Sequence, residues 1–153
     1  MKNTVIFDMK QTIFQPTQTE DARTQADILA IKEMPEAMAT FLSFYHQNYK
    51  IVIISDSEIQ KSRERLQYLL TVHQVDQDTQ KQIFSSIDIL TMQYFGSKHD
   101  PDAWKKAMEP YHNIEYIFED GENKLQAAGE AAQALGSQPQ LFTSIAEFNH
   151  LAK

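Results

Sequence analysis

Asp8, Ser55, Asp56, Lys98, Glu119 and Asp120 are the residues of this sequence whose types and positions could do chemistry together. Asp8 closes the apolar run Val5-Ile6-Phe7, Ser55 and Asp56 close Ile51 to Ile54, Lys98 follows a third apolar run, and Glu119 with Asp120 closes Ile114 to Phe118. Carboxylate oxygens are the ligands a hard cation takes, while a hydroxyl and an ammonium can hydrogen-bond and neutralise the oxygens of a phosphate. Brought to one place, these side chains make a hard-cation site able to handle phosphate.

Whether they meet depends on the elements that carry them. Thr4 to Phe7, Ile51 to Ile54, Ile87 to Leu90, Ile114 to Phe118 and Gln140 to Phe142 are short runs rich in β-branched and aromatic residues, as expected of strands buried on both faces. Helical patterns lie between them. Pro35 suits the first position of a helix, with Met38, Phe41, Leu42 and Tyr45 following at helical spacing and Asn48 closing the pattern. Ile59, Leu66, Leu69 and Leu70 mark a second stripe; Leu125, Ala128, Ala132 and Leu135 mark another, ended by Gly136 as a C-cap candidate. Ser144 and Glu147 form a capping box for a last helix to Leu151. Strands alternating with helices predict an α/β chain, a three-layer Rossmann-like fold with a mostly parallel five-stranded sheet and helices on both faces. In such a sheet ligands bind outside the carboxyl ends of the strands, which is the edge where these acids, the hydroxyl and the ammonium fall.

Three stretches interrupt the alternation. Gln15 to Glu33 is polar, with only Ile28, Leu29 and Ile31 as an apolar group, and is expected to form a small helical excursion. Val75 to Gln82 and Gln93 to Asp100 are expected to be loops or helix ends. Ser55 and Ser57 also suit the capping of a helix beginning near Glu58. His73, His99 and His112 lack metal-ligand spacing and are expected on the surface. Trp104 and Tyr111 are expected to pack a helix against the sheet.

A length of 153 residues suits one domain covering 1–153. The absence of cysteine removes disulfides, thiolate catalysis and Cys-ligated zinc together. Fourteen Lys and Arg against 21 Asp and Glu give a net charge of -7, and the basic residues form no block. Phosphate-backbone binding needs a positive face, so nucleic acid and anionic membrane surfaces are poor partners. A mean hydropathy of -0.47, with no apolar run long enough to span a bilayer, argues against a membrane helix. The chain reaches Asp8 before any segment resembling a signal peptide, so a cytoplasmic location is expected.

The motifs resemble a known family. Val5-Ile6-Phe7-Asp8-Met9-Lys10-Gln11-Thr12 resembles the first motif of the haloacid dehalogenase superfamily, hydrophobic-Asp-x-Asp-x-Thr. Ile53-Ile54-Ser55 resembles its second motif, a strand ending in Ser or Thr, and Lys98-His99-Asp100-Pro101-Asp102 resembles its third-motif lysine ahead of a Pro-Asp helix start. Ile117-Phe118-Glu119-Asp120-Gly121 resembles the fourth motif in its β-phosphoglucomutase-like form. All four occur in order along nearly the whole chain.

The resemblance implies a hydrolase in which Asp8 attacks phosphorus and forms an aspartyl phosphate. It implies a Mg²⁺ site made by Asp8, Asp120 and the backbone carbonyl of Lys10, with Glu119 beside them. Ser55, Asp56 and Lys98 are the implied phosphate-binding group, and Asp8, Lys10 and Lys98 the implied catalytic one. The partner implied is a phosphorylated substrate. Only 46 residues separate Asp8 from Ser55, and a predicted helix takes many of them, so the resemblance is to a capless or reduced-cap member whose cap remnant lies at about 15–33. An open site of that kind favours large phosphate esters or a partner that completes the lid.

Two departures change the implied chemistry. Family phosphatases carry an Asp, the general acid and base, where this chain has Lys10. A lysine side chain is ordinarily protonated at neutral pH, so it can donate a proton but does not readily activate water, and losing acid-base catalysis slows a reaction by about 10² to 10⁴. Lys124 stands where some members have a further metal-supporting Asp, and Gln11 replaces a common Gly. Three readings therefore stand side by side: a Mg²⁺-dependent phosphohydrolase with an impaired proton shuttle; a non-catalytic member that binds phosphate or a protein partner; and a phospho-accepting receiver domain using Asp56. The last fits poorly, because Asp8 is unaccompanied and Glu119-Asp120 would have no role in it. Dehalogenation is disfavoured by Glu119-Asp120-Gly121.

Overall fold

The computed structural model describes residues 2–17 and 29–151. In chain order the elements are β1 (Thr4–Phe7), β2 (Phe14–Pro16), β3 (Ile31–Glu33), α1 (Ala37–His46), β4 (Lys50–Ser55), α2 (Ile59–Val72) and α3 (Gln77–Ser86). They continue with β5 (Asp88–Thr91), a 3₁₀ turn at Met92–Tyr94, α4 (Pro101–Met108), β6 (Ile114–Phe118), α5 (Glu122–Ala134), β7 (Gln140–Phe142) and α6 (Ile145–Leu151).

Period-two alternation within the apolar runs sorts their side chains onto two faces. Val5, Phe7, Ile51, Ile53 and Phe118 face one way and pack with Met38 and Phe41 of α1, Leu66 and Leu70 of α2, Ile83 of α3 and Ile145 of α6. Ile6, Val52, Ile54 and Ile117 face the other way, onto Trp104 and Met108 of α4 and the alanines of α5. The result is the three-layer α/β arrangement expected, with a five-stranded sheet in the order β5-β4-β1-β6-β7 and every neighbouring pair parallel. β1 is central, and all four of its residues are buried. An aromatic column braces the first face: Phe7 stacks on Phe118 with ring centroids 5.0 Å apart, and Phe118 on Phe142 at 5.6 Å.

The edges and connections depart from the sequence expectations for identifiable reasons. β5 is only half-buried, and Gln140 and Leu141 of β7 are exposed, because edge strands lack a second neighbour. Residues 14–16 and 31–33 are not helical but pair as an antiparallel ribbon, Phe14 opposite Glu33 and Pro16 opposite Ile31. Residues 18–28 of the expected cap remnant lie outside the described residues. Val75 to Gln82, expected as a loop or helix end, is the start of α3, which begins at Gln77, where Asp76 caps it by accepting from the Thr79 N–H at 2.7 Å. Its buried seam is Gln80 and Ile83, too sparse an apolar stripe to register as periodicity. Pro35 precedes rather than begins α1: Glu36 occupies the N-cap with φ 64° and Ala37 is the first helical residue. At the C-terminal end the capping role of Ser144 holds, its Oγ accepting from the Glu147 N–H at 3.0 Å, while the Glu147 carboxylate turns to the Thr143 hydroxyl at 2.9 Å.

Candidate functional site

Asp8 is the first residue past β1, at the carboxyl edge of the central strand. Its N–H donates to the Phe118 carbonyl at 2.9 Å, so the β1–β6 ladder fixes its backbone, and its side chain is buried. The chain then turns sharply: the N–H groups of Thr12, Ile13 and Phe14 all converge on the Met9 carbonyl, at 3.2, 2.8 and 3.2 Å. This turn holds Gln11 at φ 64°, leaves Lys10 exposed, and folds the buried Thr12 back so that its hydroxyl donates to Asp8 Oδ2 at 3.4 Å.

Lys98 arrives from two strands away. After β5 the chain bends back through Gly96 at φ 124°, a conformation that favours glycine, and a Cβ there would also press Ala103 at 3.2 Å. The bend is pinned to the loop after β4 by the Gln93 amide, which donates to the Asp56 carbonyl at 3.1 Å. Asp100 then caps α4, accepting from the Asp102 N–H at 2.9 Å, with Pro101 in the first turn. Trp104, fully buried in α4, donates its indole N–H to the Lys98 carbonyl at 2.7 Å, and its ring lies 5.5 Å from the Lys98 ammonium. Held in this way, Lys98 Nζ donates to Asp8 Oδ1 and to Glu119 Oε1, each at 2.7 Å.

Glu119 and Asp120 follow β6. The Glu119 N–H donates to the Phe142 carbonyl at 3.1 Å, which directs its carboxylate inward, and the side chain is 1% exposed. Asp120 stays exposed at the mouth. Asp8, Glu119 and Asp120 each offer an oxygen, and these atoms lie within 4.8 Å of one another. Three carboxylates meet beside the Lys98 ammonium, and an all-oxygen donor set of this size fits a hard divalent cation. Burial pushes the Asp8 carboxyl well above the ordinary carboxylate range, with Glu119 adding to the rise and Lys98 opposing it. For Lys98 burial acts downward, but the charges of Asp8 and Glu119 outweigh it and hold the ammonium above its ordinary value.

Ser55 closes β4 and is buried; its Oγ accepts from the Ser57 N–H at 2.8 Å and from the Ser62 hydroxyl at 3.4 Å. With both acceptor directions filled, what this hydroxyl can offer a ligand is its own proton, which suits a phosphoryl oxygen. Asp56 is exposed, and its carboxylate lies 3.9 Å from Lys124 Nζ. Thus the structure gathers Asp8, Lys98, Glu119 and Asp120 into one cluster at the end of β1, places Ser55 at the neighbouring strand end, and leaves Lys10 and Asp56 exposed. Thr12 and Trp104 enter the site without having been singled out for it. For Thr12 a signal existed, since it stands in the first motif; for Trp104 no local pattern pointed to the site.

No protein-family model matches the chain, and no curated protein matches it in sequence. Solved structures do match it in three dimensions. A HAD-superfamily hydrolase from Ehrlichia chaffeensis superposes with TM-score 0.57 at 16% identity, covering 99% of this chain and 97% of that one. A β-phosphoglucomutase candidate from Thermotoga maritima gives TM-score 0.56 at 15% identity over 85% and 82% of the two chains. The D,D-heptose 1,7-bisphosphate phosphatase of B. bronchiseptica, solved with magnesium and phosphate, gives 0.53 at 12% identity over 99% of both. The five-stranded parallel sheet with helices on both faces is accordingly the α/β fold shared by these haloacid dehalogenase-like structures.

Proposed function

We propose that this chain is a haloacid dehalogenase-like phosphohydrolase that acts on phosphate esters with Mg²⁺, using Asp8 as its nucleophile. The observation that carries this reading is the buried Lys98 ammonium held at 2.7 Å from both Asp8 and Glu119, with Asp120 completing an oxygen triad at the same strand ends. An anionic nucleophile can approach an anionic phosphate only where positive charge offsets their repulsion. Lys98 supplies part of that charge.

Asp8, Glu119, Asp120 and the backbone carbonyl of Lys10 are the groups that would hold Mg²⁺, whose chemistry when bound is to withdraw charge from the phosphoryl oxygens. Ser55 donates its hydroxyl proton to a phosphoryl oxygen, and Asp56 contributes its main-chain N–H, since its carboxylate repels the ligand. An Asp8 oxygen attacks phosphorus as the ester P–O bond breaks, and the departing oxygen takes a proton. Lys10, exposed at the mouth, is placed in sequence to give that proton. Water then cleaves the aspartyl phosphate, releasing inorganic phosphate and restoring Asp8. With a lysine where a carboxylate base would stand, this second step is the slow one, by about 10² to 10⁴.

The same substitution favours a second reading, in which the chain binds phosphate without turning it over. Either way it acts as one domain, and the short stretch of chain between Asp8 and Ser55 suits a large phosphate ester. The net charge of -7 argues against nucleic-acid or anionic-membrane partners, and a cytoplasmic setting accords with a chain free of cysteine. Among the described residues no helix is long and apolar enough to cross a membrane. The deciding experiment is phosphate release from a panel of esters with and without Mg²⁺, on the wild type and Asp8→Asn. Mg²⁺-dependent release lost in the variant supports the hydrolase; Mg²⁺-dependent phosphate binding without release from any ester selects the second reading.

A further inference from the structure

Asp56 and Lys124 face each other across the end of β1. Asp56 follows β4, Lys124 lies in the first turn of α5 after β6, and the strand order puts β1 between β4 and β6. Lys124 Nζ nonetheless lies 3.9 Å from Asp56 Oδ2. Neighbouring strands are about 4.8 Å apart, so a contact from the loop after β4 to the helix after β6 spans roughly 10 Å, the width of β1, at the sheet edge where Asp8 lies. The lysine stem achieves this by lying along the β6–α5 turn: a Cβ on Gly121 would stand 3.1 Å from Lys124 Cδ, in space the glycine leaves to it. The pair thus joins the two connections that flank the strand end carrying Asp8.

The pair is weakly held. Its side chains are 35% and 62% exposed, and ion pairs of that kind contribute only about 0 to 1 kcal/mol. A dianionic phosphoryl group offers the ammonium more charge and more acceptor oxygens than the Asp56 carboxylate does, whereas a substrate carboxylate would merely equal it. Lys98 has no such freedom, being committed to two buried carboxylates at 2.7 Å. The two ammonium groups therefore have separable roles, one fixed beside the reacting carboxylate and one exchangeable at the mouth.

We propose that Lys124 is the residue that binds a second phosphoryl group of the substrate, exchanging Asp56 for it, so that the site selects doubly phosphorylated substrates over simple monoesters. This rests on the reading that the Asp8 site binds phosphate with Mg²⁺. The test is calorimetric titration, with Mg²⁺ present, of methylphosphonate and methylenediphosphonate, which contain no ester bond to hydrolyse. Lys124→Gln should weaken methylenediphosphonate about tenfold and methylphosphonate less than about twofold, while Lys124→Arg should retain the discrimination. Solution chelation of Mg²⁺ by the diphosphonate is common to all three proteins and cancels in the comparison. Equal losses for both ligands, or none for either, would overturn the inference and leave the phosphate site standing. Failure of the wild type to bind either ligand would overturn the inference together with the phosphate reading beneath it.

Discussion

The indole N–H of Trp104 donates to the main-chain carbonyl of Lys98 at 2.7 Å, so the helix that begins just after the lysine also holds it in place. Trp104→Phe keeps most of the buried ring but strands that carbonyl, which should cost about 1 to 3 kcal/mol of stability. The displaced ammonium should also weaken Mg²⁺-dependent phosphate binding. Chemical denaturation and phosphate titration of the variant check both. The chain has a single tryptophan, so wild-type emission should change when phosphate and Mg²⁺ bind beside Lys98. Unaltered stability and affinity in the variant would reduce Trp104 to packing alone.

Lys98→Met removes the ammonium that lies 2.7 Å from each of two buried carboxylates. Breaking a buried ion pair from one side costs about 3 to 5 kcal/mol, and a divalent cation at the acids should recover part of it. Urea midpoints measured in EDTA and in Mg²⁺ should show a large deficit in the first that narrows in the second. A variant as stable as wild type in EDTA would mean the cluster is not organised around Lys98.

Lys10→Asp supplies the carboxylate that the proposed mechanism lacks, while leaving unchanged the residue 10 carbonyl proposed as a metal ligand. Turnover of an aryl phosphate at saturating substrate and Mg²⁺ should rise by up to about 10² to 10⁴, less where the leaving group needs little protonation. Added negative charge beside Asp8 opposes the gain through weaker substrate binding, which is why kcat is the quantity to read. A fall in kcat from a measurable wild-type value would show that Lys10 itself takes part in the chemistry.

The tyrosines set an alkaline limit to stability. Burial, then the hydrogen bond and charge of Asp88, raise the Tyr111 phenol; its hydroxyl donates to Asp88 Oδ2 at 2.6 Å. Burial and Glu115 likewise push Tyr49 up to about 12. A group whose folded pKa lies above its unfolded value contributes stability fully present below the unfolded value, about 10 for tyrosine, and loses it as pH rises through the folded one. Unfolding free energy should therefore decline above about pH 10. Tyr111→Phe should start lower and decline less steeply, and parallel curves for the two proteins would contradict the assignment.

Much of this architecture was legible from residues that a parallel strand requires. Val5 to Phe7, Ile51 to Ile54 and Ile114 to Phe118 are runs suited to burial within the sheet, and the acids and hydroxyl at their ends mark the candidate edge. Elements held by caps and tertiary contacts were not legible. Gln77–Ser86 is helical through the Asp76 cap and one buried seam, and Phe14–Pro16 is a strand only because Ile31–Glu33 lies beside it. The same limit applied within the site. Asp8, Ser55 and Glu119 end strands and show in sequence, but that Lys98 bridges two acids, and that Trp104 holds it there, depends on a bend no local pattern encodes.

Fluorine NMR with beryllofluoride tests most directly whether Asp8 is the phosphoryl-accepting carboxylate of a Mg²⁺-dependent site. Beryllofluoride bonds to a carboxylate oxygen as a phosphoryl mimic. The wild type should show bound fluoride resonances when Mg²⁺ is present, none in EDTA, and none in Asp8→Asn under either condition. Resonances that persist in Asp8→Asn, or a wild type that shows none with Mg²⁺, would contradict the account.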